Sequence, residues 1–480
     1  MQSSGSLWYS RLALETNTAI ARDRGRSPSL AAFLSFLLPG LGQLYAGKRR
    51  LALIFAVPAL LLIPVFAYQL RQGPATFVGR FADPSYALDA LIVVLAIGAW
   101  RFAAVTHALV GADRRKTRRV VDRLVVAALA AVIILSHGFA GVLLATTYNA
   151  DNRVFSQQNG LADLETPSPG LSAGPTSTDG STATPSADGR VTMLFTGLDS
   201  NPATRATHSY DSLMVVSFDP KSNSVQMVSL PREIASFPFY FHGVDSPAYW
   251  ITYLPTYVKS GAIRGSPDSP YITLVKEIQY LVGVHIDYWT VMNLQGFIKM
   301  IDAVGGVDVN NQSVINDASY DWLDGTHGVY IGAGPQHLNG RYALAYARSR
   351  HGAGGNDYKR AGRQQEIMLA LLHKMSQPGQ IFQLSNIISQ VGASVEVGST
   401  DPANPFKSSM VADYINAAEN VPTGNFTTLV LGPPYTTPIS SLIAGKSSIC
   451  LSMPKMAAES VTLFGQDSLW YGKHPIDTCP

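Results

Sequence analysis

The sequence is poor in charge and in cysteine. Of its 480 residues only 14% are Asp, Glu, Lys or Arg, with a net charge of +3, so no overall field favours nucleic acid as a partner. The two cysteines, Cys450 and Cys479, both lie near the C-terminus. Their spacing does not suit a zinc site, but they could form a disulfide if this part of the chain is outside the cell.

The signatures of several common enzyme classes are also absent. The sequence contains no P-loop, no nucleophile elbow, no zinc-binding helix with paired histidines and no dinucleotide-binding fingerprint. Any chemistry in this chain must therefore depend on residues outside these motifs.

Hydrophobic residues, in contrast, make up 46% of the chain. Each of four apolar runs approaches the roughly 20 residues that a helix needs to cross a bilayer. These runs are residues 30–46, 51–69, 86–110 and 124–147. A secretory signal would be a single short run near the start, which leaves buried soluble helices as the alternative. We predict an α-helical transmembrane domain over residues 29–148.

Basic residues in the short loops give this domain an orientation. The densest cationic loop, residues 113–123, is expected in the cytoplasm, so the next run exits and places everything after about residue 148 outside. Residues 22–26 and 48–50 are also basic, and both can stay inside only if the first run does not fully cross. Pro39-Gly40 interrupts that run and breaks a helix. We predict a cytoplasmic segment over 1–28, one re-entrant or short span and then three full spans.

Residues 149–189 are rich in Ser, Thr, Pro and Gly and have almost no large apolar residue. Such a segment cannot build a core, and we predict an extracellular linker. From residue 190 onward, apolar strands such as RVTMLFTGL, DSLMVVSF and SVQMVSL alternate with helices such as YITLVKEIQYLVG and AGRQQEIMLALLHKM. This alternation predicts a layered α/β domain over residues 190–480.

The last hundred residues carry weaker patterns. Residues 385–400 and 410–421 are expected to form further helices, while residues 429–437 and the surroundings of the two cysteines are expected to be irregular.

Two aspartates lie at the ends of predicted neighbouring strands. Asp199 follows the first strand and Asp211 begins the second. Brought together, they would suit Mg²⁺, which binds one or two carboxylates together with phosphate oxygens. Each could instead be a turn aspartate at a strand boundary. Arg232 follows the third strand, and on its own it could be a surface arginine paired with Glu233.

The densest charge is in YARSRHGAGGNDYKRAGRQQ, residues 346–365, where five cations accompany one carboxylate. Arg348 and Arg350 alternate, so we predict them on one face of a strand. Asp357, Arg360 and Gln364 lie near one side of a predicted helix start. Planar guanidiniums suit phosphate, and glycines between the two groups would let backbone approach an anion. These glycines are Gly352, Gly354 and Gly355. A polyphosphate or pyrophosphate site is favoured, although a charge run is also typical of a solvated face.

With these residues identified, the chain from about residue 190 to 375 resembles the LytR-CpsA-Psr family. The resemblance is carried by blocks in the family's order: TGLDS, Asp211 at the start of SLMVVSFDP, VSLPRE, IDAVGGVDV, GPQHLNGRYALAYARSR and DYKRAGRQQ. The last two blocks, with their spacing, are the most specific.

The resemblance implies an extracellular α/β/α sandwich with a mixed central β-sheet, anchored in a bacterial cell membrane. It implies a Mg²⁺-dependent phosphotransferase whose pocket holds a polyprenyl-pyrophosphate lipid carrying a glycan. The glycopolymer, a teichoic acid or capsule, would pass to peptidoglycan through a phosphodiester and leave polyprenyl phosphate. The implied partners are this lipid-linked glycan, the peptidoglycan acceptor and membrane lipid.

The resemblance also assigns residue roles by position. Asp199 and Asp211 would be catalytic and hold Mg²⁺. The catalytic and pyrophosphate-binding arginines would be Arg232, Arg348 and Arg350, with Arg360 and Gln364 as further pyrophosphate contacts and Asp357 and Arg363 orienting that site.

The chain departs from the family's pattern at three places. The arginine that usually precedes the second aspartate is missing in THSYD, so Arg205 or His208 would have to replace it, or the contact is lost. Glu233 stands where the family has aspartate, and the usual K-x-N-A segment is not recognisable in AYWITYLPTYVKSG. Two other functions therefore stay open: hydrolysis of the lipid pyrophosphate at the same site, and non-catalytic binding of it by an envelope regulator.

Overall fold

The computed structural model describes residues 27–71, 84–111, 119–155, 189–200, 209–241, 249–350, 356–377, 384–392, 394–443, 446–477 and 479. The chain divides into two compact units: Met1–Phe77 with Ser85–Thr146, and Val78–Pro84 with Thr147–Pro480. The boundary at Thr146/Thr147 falls inside one long helix. The predicted cytoplasmic segment and most of the predicted linker lie outside the described residues.

The first unit is helical. Its helices are α1 (Pro28–Leu37), α2 (Leu41–Tyr45), α3 (Arg49–Arg71), α4 (Pro84–Gly111) and α5 (Arg119–Phe155). Three segments are long and apolar enough to cross a membrane: Arg49–Tyr68, Tyr86–Val110 and Leu124–Val142. Many of their large apolar side chains are exposed, as lipid-facing helices require.

The first apolar run is broken at the place that the sequence predicts. Helix α1 ends at Leu37, and Pro39 has no backbone N–H to donate. Gly40 has a φ of 103°, a backbone conformation that residues other than glycine rarely adopt. The Arg101 guanidinium donates to the carbonyl oxygen of Phe36 over 2.8 Å, next to this break. Such a contact satisfies a carbonyl that the helix end leaves without an N–H partner. The re-entrant topology of the run stays a prediction.

The second unit alternates strands and helices. Its strands are β1 (Val191–Leu198), β2 (Tyr210–Asp219), β3 (Ser224–Leu230), β4 (Ile234–Ser236), β5 (Tyr288–Asn293), β6 (Val307–Asn311), β7 (Ile315–Asp321), β8 (His327–Ile331), β9 (Gly334–Leu338), β10 (Val395–Ser399), β11 (Phe426–Val430), β12 (Thr436–Ile443) and β13 (Lys446–Leu451). Its helices are α6 (Leu254–Lys259), α7 (Pro270–Val282), α8 (Leu294–Ala303), α9 (Gly340–Arg348), α10 (Asp357–Ser376), α11 (Leu384–Val391), α12 (Ser408–Glu419) and α13 (Met453–Phe464). Short 3₁₀ turns occur at Ile251–Tyr253, Thr423–Asn425 and Gly465–Asp467.

A six-stranded sheet in the order β10-β5-β1-β2-β3-β11 forms the centre of this unit. The β1/β5 and β3/β11 pairs are parallel, whereas β1/β2, β2/β3 and β5/β10 are antiparallel. The sheet is therefore mixed, and the prediction of a mixed α/β fold is confirmed.

Alternating side chains of the strands pack on opposite faces of the sheet. On one face Leu194 and Val215 join a buried core with Ile278 of α7. On the other face Met227 packs in a cluster with Met368 of α10. Helices thus cover both faces, which makes the unit an α/β/α sandwich.

A second core lies beside the sheet. The β6/β9 and β7/β8 antiparallel pairs pack there with α8, α9 and α10. This arrangement brings the C-terminal end of α9 and the N-terminal end of α10 towards the end of the sheet at which β1 terminates.

Two expectations for the C-terminal region are wrong. Residues 385–400 form helix α11 and then strand β10, and the region expected to be irregular contains β11, β12, β13 and α13. These strands pair with partners far away in sequence, such as β11 with β3 and β13 with β4, so local patterns carry little of the signal. The helix expected over 410–421 is confirmed as α12.

The conditional disulfide between Cys450 and Cys479 is confirmed. The Cα atoms lie 5.6 Å apart, and Cys450 is fully buried in β13. The bond fastens the C-terminal segment that follows α13 to the body of the unit.

Candidate active site

The two predicted aspartates lie at the same end of neighbouring strands. Leu198 of β1 pairs with Tyr210 of β2, and the Asp199 N–H donates to the Ser209 carbonyl over 2.9 Å. Because β1 and β2 are antiparallel, the end of β1 and the start of β2 meet at one sheet edge. Asp199 and Asp211 both line one cavity at this edge.

Each of these carboxylates is paired with an arginine. Arg348 donates to Asp199 over 3.0 Å, and Arg232 donates to Asp211 over 3.0 Å. Arg350 lies 4.0 Å from the same Asp211 oxygen. The structure therefore brings together residues from three separate parts of the sequence, as the resemblance implies.

The prediction that Arg348 and Arg350 lie on a strand is wrong. Arg348 is the last residue of helix α9, and Arg350 follows the C-cap residue Ser349. Asn339 caps the start of this helix by accepting from the Tyr342 N–H. The two arginines still line the same cavity, because the chain turns directly after the helix end.

Helix α10 supplies the next group, and its predicted start is confirmed. Asn356 caps it, and Asp357 in its first turn pairs with Arg360 at 3.1 Å and with Arg350 at 3.3 Å. Gln364 accepts from Ser212 Oγ over 3.0 Å. Arg360 and Gln364 line the cavity, whereas Asp357 stands behind Arg350 and Arg360.

Arg363 is not among the residues that line the cavity. Its guanidinium donates to the carbonyl oxygen of Tyr346 over 2.7 Å and to that of Ser349. It therefore fixes the helix end that carries Arg348 and the turn that carries Arg350.

The charges around Asp211 favour its ionised form. Burial would raise the pKa of Asp211, but Arg232, a hydrogen bond from Ser209 and Arg360 together hold this pKa below its ordinary value. The same pairing raises the pKa of Arg232, despite the opposing effect of burial. Both partners are charged at neutral pH.

Arg360 is the most buried of the cavity arginines, at 6% exposed. Burial lowers its pKa to about 10, with Asp357 opposing and Arg350 and Arg232 adding to the decrease. It remains a cation at neutral pH. Burial, and then the nearby Asp357, raise the pKa of Glu233 above its ordinary value.

The cavity has a volume of about 450 Å³ and joins a charged end to apolar walls. Large apolar side chains from the sheet and from α8, α9 and α10 form these walls. They include Phe195, Met214, Phe297, Met300, Leu344 and Met368. Flexible methionine side chains suit a long, irregular apolar ligand.

Sequence reasoning missed several residues of the cavity. Asp317, in the β7/β8 hairpin, is buried and accepts from Ser349 Oγ over 2.7 Å and from Ser319 Oγ over 2.9 Å. The Tyr320 ring lies 5.9 Å from the Arg348 guanidinium carbon. No local motif marks these residues, and only the packing of the hairpin against α9 brings them to the site.

Other predicted contributors cannot be placed. Arg205, His208, Gly352, Gly354 and Gly355 lie outside the described residues.

The two aspartates at this sheet edge are of the ligand type that Mg²⁺ prefers, although each is also paired with an arginine. Mg²⁺ keeps several waters and takes one or two carboxylates together with phosphate oxygens, and Asp199 and Asp211 offer two carboxylates on one cavity wall. Within the described ranges no group of three or more His, Cys, Asp and Glu side chains is positioned to hold a metal. An all-protein cage is thus not present in that part of the chain, and substrate oxygens would have to complete the coordination.

Comparison with known proteins identifies the family of this chain. The LytR_cpsA_psr family model matches residues 168–424, more than half of the chain. The chain is 29% identical over 204 residues to the polyisoprenyl-teichoic acid–peptidoglycan teichoic acid transferase TagV of Bacillus subtilis. That match covers 42% of this chain and 48% of the relative, about half its length. The chain is also 28% identical over 236 residues to the transferase TagU of Halalkalibacterium halodurans, covering 49% of this chain and 69% of the relative.

Among solved structures, the crystal structure of B. subtilis TagV shares 22% identity, with a TM-score of 0.46. The superposition covers 60% of this chain and 99% of that one.

Proposed function

Because the chain belongs to the LytR-CpsA-Psr family, we propose that it transfers a glycopolymer from a polyprenyl-pyrophosphate carrier to peptidoglycan. The relatives named as teichoic acid transferases support this reaction class. One observation carries the proposal: a single cavity joins four arginines and four aspartates, Asp199 and Asp211 among them, to large apolar walls. A lipid pyrophosphate has the same two chemical parts, a multiply charged anion and a long hydrocarbon.

The proposed reaction breaks the phosphoanhydride bond of the pyrophosphate and forms a phosphoester bond to the acceptor. A hydroxyl of peptidoglycan attacks the phosphorus that carries the glycan, and the bond from this phosphorus to the bridging oxygen breaks. The proton of the acceptor hydroxyl passes to water or to the leaving phosphate. A phosphodiester then joins glycan to peptidoglycan, and polyprenyl phosphate leaves with the bridging oxygen.

The arginines have a definite part in this reaction. Arg232, Arg348, Arg350 and Arg360 would neutralise the pyrophosphate and the charge that grows on the leaving phosphate. Gln364 would contribute an amide contact. Arg363 and Asp357 would hold the arginines in place, through the carbonyl and carboxylate contacts described above.

Magnesium is part of the proposal. Asp199 and Asp211 would hold it, and when bound it would supply positive charge to the phosphate oxygens.

The proposed location is a bacterial cell membrane, with the site on the outer side. The three apolar helices support membrane attachment, and the basic loop at 113–123 supports the orientation. The disulfide between Cys450 and Cys479 gives independent support, because disulfides persist outside the reducing cytoplasm.

The test is a transfer assay with the full chain in detergent micelles. Polyprenyl pyrophosphate bearing a radiolabelled glycan is supplied with Mg²⁺ and purified peptidoglycan sacculi. Label that becomes covalently attached to the sacculi is the expected result, with loss of at least about a hundredfold in Arg360→Ala.

Other outcomes separate the alternatives. Release of the labelled glycan phosphate, at the same rate with and without sacculi, would identify a hydrolase. Tight binding of the lipid without turnover would identify a binder. Equal rates for the wild type and Arg360→Ala would show that the cavity is not the site.

A further inference from the structure

Next to the charged end of the cavity lies an aromatic surface. It consists of Tyr249, Tyr253 and Tyr257 on Trp250, and we call it the tyrosine platform. The three tyrosines are four residues apart, and the chain between them forms a 3₁₀ turn that runs into helix α6. Tyr253 and Tyr257 lie within this helical segment, and Tyr249 precedes it.

The rings of the platform contact one another. The Tyr249 and Tyr257 centroids are 4.1 Å apart, and the Tyr253 ring is stacked on Trp250 at 6.2 Å. Trp250 is only 4% exposed and forms the floor, whereas the three tyrosines are each partly exposed. Partial burial, and then the nearby Tyr253 and Tyr249 phenols, raise the pKa of Tyr257. The Tyr253 and Tyr257 ring centroids are 6.3 Å apart.

Two contacts fix the platform beside the site. The Arg232 guanidinium, which pairs with Asp211, lies 6.0 Å from the Trp250 ring centroid. Thr252 Oγ1 donates to the carbonyl oxygen of Tyr210 over 2.6 Å, one residue before Asp211. None of the platform residues lines the cavity itself. The platform therefore borders the charged end from outside the cavity.

The chemistry of the platform indicates its ligand. The nine residues YWITYLPTY (249–257) contain no charged side chain, so this segment itself offers rings and hydroxyls. Pyranose sugars have an apolar face of C–H groups and a rim of hydroxyls, and they stack on exposed tyrosine rings. This same segment, AYWITYLPTYVKSG, is where the chain departs from the usual K-x-N-A pattern.

We propose that the tyrosine platform binds pyranose rings of the glycan next to the reacting phosphate. This inference rests on the proposed function, because it places a sugar next to a pyrophosphate in the cavity. The sugars could come from the lipid-linked donor or from the peptidoglycan strand, and the experiment below separates these two sources.

The experiment compares Tyr253→Leu, which keeps apolar bulk without an aromatic face, with Tyr253→Phe, which keeps the ring. The full chain in detergent micelles is titrated with three probes: bare polyprenyl pyrophosphate, polyprenyl pyrophosphate bearing an N-acetylglucosamine disaccharide, and a lipid-free peptidoglycan glycan fragment. Tyr471→Leu serves as the matched control, because Tyr471 is 52% exposed and is not part of the platform or the cavity lining.

The wild type is expected to bind the disaccharide lipid or the glycan fragment roughly five- to tenfold more tightly than Tyr253→Leu does. Tyr253→Phe and Tyr471→Leu should stay close to the wild type, and all four proteins should bind bare lipid equally. A loss confined to the disaccharide lipid assigns the platform to the donor, and a loss confined to the glycan fragment assigns it to the acceptor.

Equal affinity of the wild type and Tyr253→Leu for both sugar probes would overturn the proposal. An equal loss for all three probes would also overturn it, since that pattern indicates a general structural defect. If the wild type does not bind bare lipid, the pyrophosphate site is wrong, and the glycan fragment still tests the platform.

Discussion

The Arg348 guanidinium donates to Asp199 Oδ1 over 3.0 Å and so joins the end of helix α9 to the end of strand β1. The Asp199 side chain is 9% exposed and that of Arg348 is 23% exposed. Because the pair is mostly shielded from water, it holds the cavity edge in one geometry more firmly than a surface pair would.

Replacing Arg348 is expected to abolish most of the transfer activity. Arg348→Ala removes a cation from the charged end, and we expect the transfer rate to fall about a hundredfold. Arg348→Lys should recover only part of this loss, because an ammonium lacks the planar fork of guanidinium. The measurement is the initial rate of label transfer to sacculi.

Arg341→Ala is the matched control for this substitution. Arg341 lies on the same helix but pairs with Asp324 in solvent, with both side chains nearly half exposed. We expect less than about a twofold change in rate, because an exposed pair of this kind contributes little. Similar rate losses in both variants would contradict a specific role for Arg348.

Arg363 is expected to hold Arg348 and Arg350 in place without contacting the substrate itself. Arg363→Ala removes the donors to the Tyr346 and Ser349 carbonyls, so the turn that carries Arg350 loses its support. We expect roughly a tenfold fall in kcat together with a lower melting temperature. Lys359→Ala, at an exposed position on the same helix, should change neither. A normal melting temperature with a change only in KM would instead indicate direct substrate contact.

The sequence predicts the local elements of this fold better than their assembly. Strands β1 to β3 and helices α7 and α10 follow from local patterns, because the strands are short apolar runs and the helices repeat apolar residues at helical spacing. Strand β11 was missed because its pairing with β3 joins Phe426 to Val225, across about two hundred residues. Such pairing leaves no local pattern.

The site residues are also easier to predict from local patterns than from tertiary packing. The spacing of Asp357, Arg360 and Gln364 predicts the helix start that carries them, and the structure has this helix begin at Asp357. Two alternating arginines suggest a two-residue period and so wrongly predict a strand for Arg348, although Asn339 before GRYALAYAR is a helix N-cap signal. Asp317 and the platform next to Arg232 depend on tertiary packing, which no motif in the chain records.

Lowering the pH should reduce the stability of the second unit, partly because Asp211 becomes protonated. The folded-state pKa of Asp211 is depressed, so its contribution to stability is present above the unfolded pKa of about 3.9 and is lost as pH falls through the folded value. We expect Asp211→Asn to lower the melting temperature at pH 6 and to converge on the wild type at the acidic end. A constant difference in melting temperature from pH 6 to pH 3 would contradict this linkage.

Glu277 is expected to have the opposite effect on stability. It is fully buried in α7, its Oε2 accepts from the Tyr240 N–H over 3.3 Å, and its Oε1 has no hydrogen-bond partner among the described residues. Burial raises its pKa well above the ordinary value, with the Tyr240 hydrogen bond opposing. The folded unit therefore keeps a proton that the unfolded chain releases above about pH 4.3, and stability falls as pH rises beyond that value.

Glu277→Gln should remove this penalty because the amide is neutral at every pH. We expect a higher melting temperature than the wild type at pH 7.5 and little difference at pH 4, measured by tryptophan fluorescence. Glu419→Gln, at an exposed position of α12, is the control and should have no effect. A lower melting temperature for Glu277→Gln at pH 7.5 would show that the buried carboxylate is ionised and stabilising.

The Cys450–Cys479 disulfide is expected to stabilise the second unit. It joins two residues 29 positions apart and fastens the segment after α13 to strand β13. Replacing Cys479 with serine should lower the free energy of unfolding by about 2–4 kcal/mol, because the unfolded chain is no longer constrained by the closed loop. The double variant Cys450→Ser, Cys479→Ser should lose a similar amount, which separates loss of the bond from the effect of one unpaired thiol. Mass spectrometry of the wild-type protein without reductant is the decisive measurement. Two free thiols would show that the disulfide does not form, and the extracellular location of the site would then lose one of its supports.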